Sequence, residues 1–262
     1  MNTPSQGPWP GRFVWHDMMT TDAARSATFY CSLLGWQFEE KAMQGCIYRM
    51  ILAGPGPIGG IIEEKGIPYP NWLPYIAVND VDATAKKIAS LGGKVNVGPM
   101  EIPNTGRFAI ANDPMGAWFA IYNGNAESTG ADPDQPVPGR ICWNELLSSD
   151  AVAAQKFYGA VFGWKEQPKD MGPYGIYRVQ LLGDKQAGGI MQNPQNGAPS
   201  AWLSYFLTMN LQGDTELAKS LGASPLMENA PIPDLGAFSM LKDPVGAVFA
   251  LFEPNMTPNE NC

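Results

Sequence analysis

The strongest constraint on this chain is that it repeats itself. Pro10-Gly11-Arg12-x-x-Trp15 recurs as Pro138-Gly139-Arg140-x-x-Trp143, and Asp22-Ala23, Phe29-Tyr30 and Gly35-Trp36 recur as Asp150-Ala151, Phe157-Tyr158 and Gly163-Trp164, all at an offset of 128. Further on, Gly59-Gly60-Ile61 matches Gly188-Gly189-Ile190, and Trp72-Leu73-x-Tyr75 matches Trp202-Leu203-x-Tyr205. Asp113-Pro114-x-Gly116-Ala117 matches Asp243-Pro244-x-Gly246-Ala247, by which point the offset has crept to 130. A repeat this long in near-constant register is one structural unit made twice. The expected division is a first domain over residues 1–123, a polar Gly/Pro/Asp linker over 124–137, a second domain over 138–255 and a tail over 256–262. A length of 262 residues fits two domains of roughly 100 to 200 residues each.

Each half contains a smaller order of elements. Phe13 to Met18 is a short β-like run, Thr20-Thr21-Asp22 offers helix N-cap candidates before Ala23 to Leu34, and Gly35 stops that helix. Two apolar runs follow, Cys46 to Ala53 and Ile58 to Ile62, separated by the turn former Gly54-Pro55-Gly56-Pro57, for the order β-α-β-β-β. The rest of the half repeats that order. Tyr75 to Val78 reads as strand, Val81 to Leu91 as helix, Gly92-Gly93 as stop, with strands near Val95, Arg107 to Ala111 and Ala117 to Tyr122. Four such modules fill the chain.

The strand followed by Asp and a helix ending Phe-Tyr-x-x-x-x-Gly-Trp, the strand leading into Asp80-Val81-Asp82, and the closing Asp-Pro-x-Gly turn together resemble the vicinal oxygen chelate superfamily. That group includes glyoxalase I, bleomycin-resistance proteins and extradiol dioxygenases, and the resemblance runs from Pro10 to Phe252. Trp-x-[Asp/Glu] with a Gly-Trp helix exit looks most like a bacterial two-domain, glyoxalase-like subgroup. The resemblance implies an α+β fold of tandem glyoxalase/bleomycin-resistance-like domains, in which four βαβββ modules pair to form half-open β cups.

The resemblance also locates the family's metal-ligand positions, seven residues before each helix-opening Asp and seven after the Asp of the final turn. These positions hold Trp15, Leu73 and Ala120 in one half and Trp143, Leu203 and Ala250 in the other. Indole, isobutyl and methyl groups offer a cation no usable lone pair, so no metal and no cofactor is expected. His16, the one histidine, is turned by strand alternation to the face opposite Trp15 and reads as structural. Asp17 and Glu145, two residues past Trp15 and Trp143, should point into the cups, and they are the candidate catalytic residues. An equal reading makes them structural, paired with Arg12, Arg49 or Arg107 or with Arg140 or Arg178. By the same alternation Trp15, Tyr75, Trp118, Tyr122, Trp143, Tyr205 and Phe252 are candidate ligand-binding positions, an aromatic wall suited to a planar or apolar small molecule. Trp36, Trp164, Phe29 and Phe157 are expected in the core.

Other functions lack support. The net charge is −8 and the 17 basic residues are scattered, against nucleic-acid binding. No apolar run approaches the roughly 20 residues of a membrane span, and Met1 to Pro10 has no basic region followed by an apolar core, so a cytoplasmic location is expected. Cys31, Cys46, Cys142 and Cys262 show no metal or disulfide spacing and read as reduced, mostly buried small hydrophobes. No phosphate loop, dinucleotide fingerprint or Ser/Cys nucleophile system is present. The leading expectation is a metal-independent small-molecule binder, or an enzyme using Asp17 or Glu145 as acid/base, either a monomer with an internal pseudo-twofold or a homodimer. The alternatives are a metal-dependent lyase, isomerase or dioxygenase with non-standard oxygen ligands, and a non-catalytic interaction module.

Overall fold

The computed structural model describes residues 10–43, 45–124 and 137–255. The first nine residues, nearly all of the expected linker and the expected tail with Cys262 lie outside them. The first module is β1 (Phe13–Thr20), α1 (Ala23–Leu34), β2 (Gln37–Met43), β3 (Cys46–Ala53) and β4 (Gly56–Glu63). The second is β5 (Asn71–Ala77), α2 (Val81–Ser90), β6 (Lys94–Ile102), β7 (Gly106–Asn112) and β8 (Trp118–Gly124). In the other half come β9 (Ile141–Ser148), α3 (Ala151–Phe162), β10 (Lys165–Asp170), β11 (Ile176–Leu182) and β12 (Lys185–Gln192). The chain closes with β13 (Ala201–Leu207), α4 (Leu211–Ser220), β14 (Ser224–Ile232), β15 (Gly236–Lys242) and β16 (Val248–Pro254).

The helices start and stop where the sequence says they should. The Asp22 side chain accepts the Arg25 N–H at 3.0 Å and that of Asp80 accepts the Ala83 N–H at 2.9 Å, satisfying donors that a first helical turn leaves without partners. Gly35 and Gly163 take the left-handed conformation, φ 69° and 77°, that ends α1 and α3. The strands β2 and β10 have no apolar run to announce them. Both are polar and almost wholly exposed, and each forms a sheet edge by pairing antiparallel to β3 or β11.

Each half makes one continuous eight-stranded sheet, in the orders β2-β3-β4-β1-β5-β8-β7-β6 and β10-β11-β12-β9-β13-β16-β15-β14. The fold is α+β, tandem glyoxalase-like domains whose four modules build β cups. The hydrophobic cores do not follow the halves. The chain forms two compact units, one from residues 1–17, 73–132 and 143–203, the other from 18–72, 133–142 and 204–262. In the first unit Ile76, Ile88, Phe119 and Ile121 of one half pack with Leu146, Phe157, Tyr158, Trp164 and Trp202 of the other. In the second, Met18, Phe29, Tyr30, Trp36, Ile51 and Trp72 pack with Phe206, Phe249 and Leu251.

A recurring indole clasp binds each core. Within the first unit the Trp164 indole N–H donates to the Gly11 carbonyl at 2.7 Å, and within the second Trp36 donates to the Gly139 carbonyl at 2.7 Å. The Pro-Gly-Arg turn of each half therefore accepts the tryptophan of the other. Tyr30 stacks on Trp36 and Tyr158 on Trp164, with ring centroids 5.2 and 5.7 Å apart. Truncating such a buried ring costs about 3 to 5 kcal/mol. The four aromatic residues expected in the core, Trp36, Trp164, Phe29 and Phe157, are all there.

The cysteines need a correction. Cys31 is exposed, because α1 buries the stripe Ala23, Ser26, Phe29, Tyr30 and Leu33 and leaves position 31 on the opposite side. Cys142 is partly buried, and burial pushes its thiol pKa up to about 12.

Candidate functional site

Strand alternation on β1 sends Val14, His16 and Met18 to one face and Trp15 and Asp17 to the other. The Asp17 carboxylate is only 3% exposed. Its Oδ1 accepts the Trp15 indole N–H at 3.0 Å and its Oδ2 accepts the Tyr75 hydroxyl at 2.7 Å. Tyr75, on β5, lies in register with Ala120 on β8, and its ring is 6.4 Å from that of Phe108 on β7. Trp15, Asp17 and Tyr75 thus meet as expected. Tyr122 points its hydroxyl to the Thr105 carbonyl at 3.0 Å and lies across the bare backbone of Gly124. Trp118 stands 39% exposed at the start of β8.

The same unit holds the second carboxylate. On β9, Trp143 and Glu145 share a face, and Glu145 is directly opposite Gly189 on β12. Tyr177, reaching over from β11, fills the space a side chain at position 189 would take: a methyl group there would collide with its phenol. The Trp143 indole donates to the Tyr177 hydroxyl at 2.7 Å, and that hydroxyl hydrogen-bonds Glu145. Burial, and then the Glu145 charge, raise the phenol pKa well above its ordinary value, so Tyr177 stays protonated. An indole can only donate, so the hydroxyl proton of Tyr177 is directed onward to the carboxylate.

Tyr177 was not among the residues the sequence singled out, nor was its counterpart Tyr48, which lies over Gly60 in the same way. The signal was present in the repeat: Tyr48-Arg49 and Gly59-Gly60 recur together as Tyr177-Arg178 and Gly188-Gly189. In the second unit Tyr205 is in register with Ala250, its ring 5.8 Å from that of Phe238, and Phe252 is half-buried opposite Phe238. Three of the five arginines offered as partners for the carboxylates pair with other acids, and Arg140 donates to the Ala53 carbonyl at 3.3 Å. Arg49 pairs with Glu40 at 3.0 Å, Arg107 with Asp82 at 2.7 Å and Glu101 at 2.9 Å, and Arg178 with Glu166 at 3.4 Å.

Between the two carboxylate strands lies His16. Its Nε2 is 2.8 Å from Oδ1 of Asn144, the residue at its own position in the repeat, and both side chains are buried. Burial lowers the His16 pKa to about 4, although the Asn144 hydrogen bond works against that shift. The imidazole is neutral at pH 7, and the Asn oxygen as acceptor puts its proton on Nε2. Among the described residues no group of three or more His, Cys, Asp and Glu side chains is placed to hold a metal ion. A surface groove of about 370 Å³ between Asp22, Arg25, Phe29, Leu221 and Pro244 includes none of the site residues expected from the sequence.

Residues 12–121 match the Glyoxalase/Bleomycin resistance protein/Dioxygenase superfamily. "Putative glyoxylase CFP32" of Mycobacterium tuberculosis is 32% identical over 247 residues, 92% of this chain and 94% of that protein. "Anthracycline biosynthesis protein DnrV" of Streptomyces peucetius is 31% identical over 267 residues, 93% of this chain and 94% of that protein. Among solved structures, the Mn(II)-bound glyoxalase from Novosphingobium aromaticivorans superposes with a TM-score of 0.65 at 16% identity, covering 93% of this chain and 82% of that one. The 2,3-dioxygenase LapB from Pseudomonas sp. KL28 gives 0.64 at 15%, covering 96% and 95%. With its strand order, its repeat and relatives of such coverage, the chain belongs to the glyoxalase/bleomycin resistance protein/dioxygenase superfamily.

Proposed function

We propose that the protein binds a small planar aromatic molecule without the help of a metal, with Asp17 and Glu145 as polar anchors. The observation that carries this reading is the buried Asp17 carboxylate held between the Trp15 indole and the Tyr75 phenol. The positions where the family places metal ligands hold Trp15, Leu73 and Ala120, whose side chains do not fit a cation, and the neighbouring strand position carries the acid instead. Rings around one fixed carboxylate suit a flat ligand oriented by a few hydrogen bonds. The relative named for anthracycline biosynthesis supports a polycyclic ligand, since it matches nearly the whole chain.

A second reading is favoured by the 2.7 Å contact between Tyr75 and Asp17, a phenol proton held against a carboxylate, which is an acid–base pair within reach of a bound substrate. Titration with a water-soluble anthraquinone, read by quenching of tryptophan emission, tests binding. Asp17→Asn and Glu145→Gln should weaken it by roughly 1.5 to 3 kcal/mol. Unchanged affinity with a lowered melting temperature would make the carboxylates structural. Metal analysis of protein purified without chelator tests the other half of the reading, and stoichiometric metal would overturn it.

A further inference from the structure

We propose that the protein pairs with a second copy of itself through β2, edge to edge and antiparallel about Glu40. The two sheets end in four edge strands, β2 and β6 in one, β10 and β14 in the other. An edge presents a row of unpaired backbone groups, and chains that stay alone blunt it with proline or with a bulge. Three of the four edges are blunted. β6 contains Pro99 and β14 contains Pro225 and Pro231, and register shifts interrupt the pairing of each with its neighbour. β10 contains Pro168. β2 has neither proline nor bulge. All seven of its residues pair with β3 in unbroken register, all but Phe38 are exposed, and among the described residues no other backbone group is hydrogen-bonded to them.

The repeat shows what kind of position Glu40 is. Glu40 lies opposite Arg49 on β3 and Pro168 lies opposite Arg178 on β11, so the two are equivalents. A proline keeps its place inside a ladder where its nitrogen faces away from the neighbouring strand, so the same position of β2 points its N–H outward. One half has kept the donor that the other has lost. The charges then select the register. In a pairing centred on Glu40, Glu39 of each copy lies opposite Lys41 of the other, at a position between the new hydrogen bonds where side chains approach closely. Within the chain Lys41 contacts the Met50 sulfur at 3.7 Å, and neither Glu39 nor Lys41 has an ion-pair partner among the described residues. Centring on Glu39 or on Lys41 instead would set two glutamates or two lysines face to face. The two Glu40 carboxylates meet on the opposite face, each already held by its own Arg49 at 3.0 Å. On that face Phe38 of one copy lies opposite Ala42 of the other, and Ile47, half-exposed beside Ala42 on β3, extends the apolar contact.

Sedimentation equilibrium of the full chain over a range of concentrations should show a reversible dimer. Glu40→Pro, which copies the other half, should leave the circular dichroism spectrum as it is and the protein monomeric. Glu39→Lys alone and Lys41→Glu alone each set like charges opposite one another twice, and each should weaken association by roughly tenfold. An equimolar mixture of these two variants should associate again, because each then supplies the charge the other lacks. A wild-type protein that is monomeric at every concentration overturns the proposal, whatever other chain then covers the edge. A dimer that a folded Glu40→Pro variant leaves as tight also overturns it, since the contact then lies elsewhere. Should Glu40→Pro fail to fold, the charge variants decide: a mixture that associates no better than its components removes the register and the proposal with it.

Discussion

Asp17 and Glu145 occupy the same position in their repeats, yet the indole beside each is directed differently. Trp15 donates straight to the carboxylate, and Tyr75 from β5 donates to its other oxygen. Trp143 instead donates to Tyr177 from β11, and the tyrosine passes the interaction on to Glu145. The difference follows from side-chain length. The shorter Asp keeps its oxygens close to its own strand, beside the indole two residues away. The longer Glu meets the Tyr177 hydroxyl, while the room over the glycine is common to both halves, Tyr48 lying over Gly60 as Tyr177 lies over Gly189. One motif thus supports two hydrogen-bond networks, and each network can be attacked separately.

The largest expected effect removes what the two sites share. With a pKa near 4 in the folded protein and near 6.5 when unfolded, His16 takes up its proton in the unfolded chain first. Its contribution to stability is therefore complete above the unfolded value and is lost as the pH falls from about 6.5 toward 4, by roughly 3 kcal/mol. Asp113 and Asp243, whose pKa values burial raises, titrate in the opposite sense. The measurement that isolates the histidine is the difference in urea stability between wild type and His16→Asn at each pH. The Asn variant copies the other half and should lack this part of the slope; parallel curves would show that the pair does not titrate in this way.

A smaller effect separates the sites. Gly189→Ala forces Tyr177 away from Glu145, although the backbone at this position accepts an alanine, and overpacking of this kind costs about 1 to 3 kcal/mol. The Asp17 network should keep its geometry, so fluorescence of a Trp143→Phe background, which reports Trp15 among the remaining indoles, should not change on adding Gly189→Ala. A matching change would mean that the two networks are not independent.

The smallest effect is a gain. Gln180 is fully buried with its Oε1 unpartnered, at the repeat position where the first half has the core residue Ile51. Both residues face a glycine on the next strand, Gln180 opposite Gly188 and Ile51 opposite Gly59. Gln180→Ile should raise stability by about 1 kcal/mol, or roughly 2 to 4 °C in melting temperature. An unchanged or lower value would show that the amide bond to the Arg178 carbonyl matters more than the orphaned oxygen.

Much of the architecture was legible because it rests on local signals. Asp22 and Asp150 cap helices that Gly35 and Gly163 terminate, Asp80 caps a third, and each is visible as a residue type in a fixed place. The face assigned to Asp17 and Tyr75 follows from counting in twos along a strand. The strands β2 and β10 were not legible, because an exposed edge strand has no apolar alternation to show. Tyr177 was missed because its relation to Glu145 runs across three strands and through a glycine, a matter of sheet register. The sharing of cores between halves was invisible for another reason: an apolar face declares that it will be buried, and says nothing of what will bury it.

That sharing sets an order on synthesis. The core that joins Ile76 to Trp202 has all its residues once the middle of the chain has left the ribosome. The core that joins Met18 to Leu251 must wait for nearly the whole polypeptide, its earliest and latest strands meeting across the longest loop the sequence allows. Until β16 emerges, Trp36, Trp72 and the apolar face of α1 are a newborn surface that only a chaperone or the last module can cover.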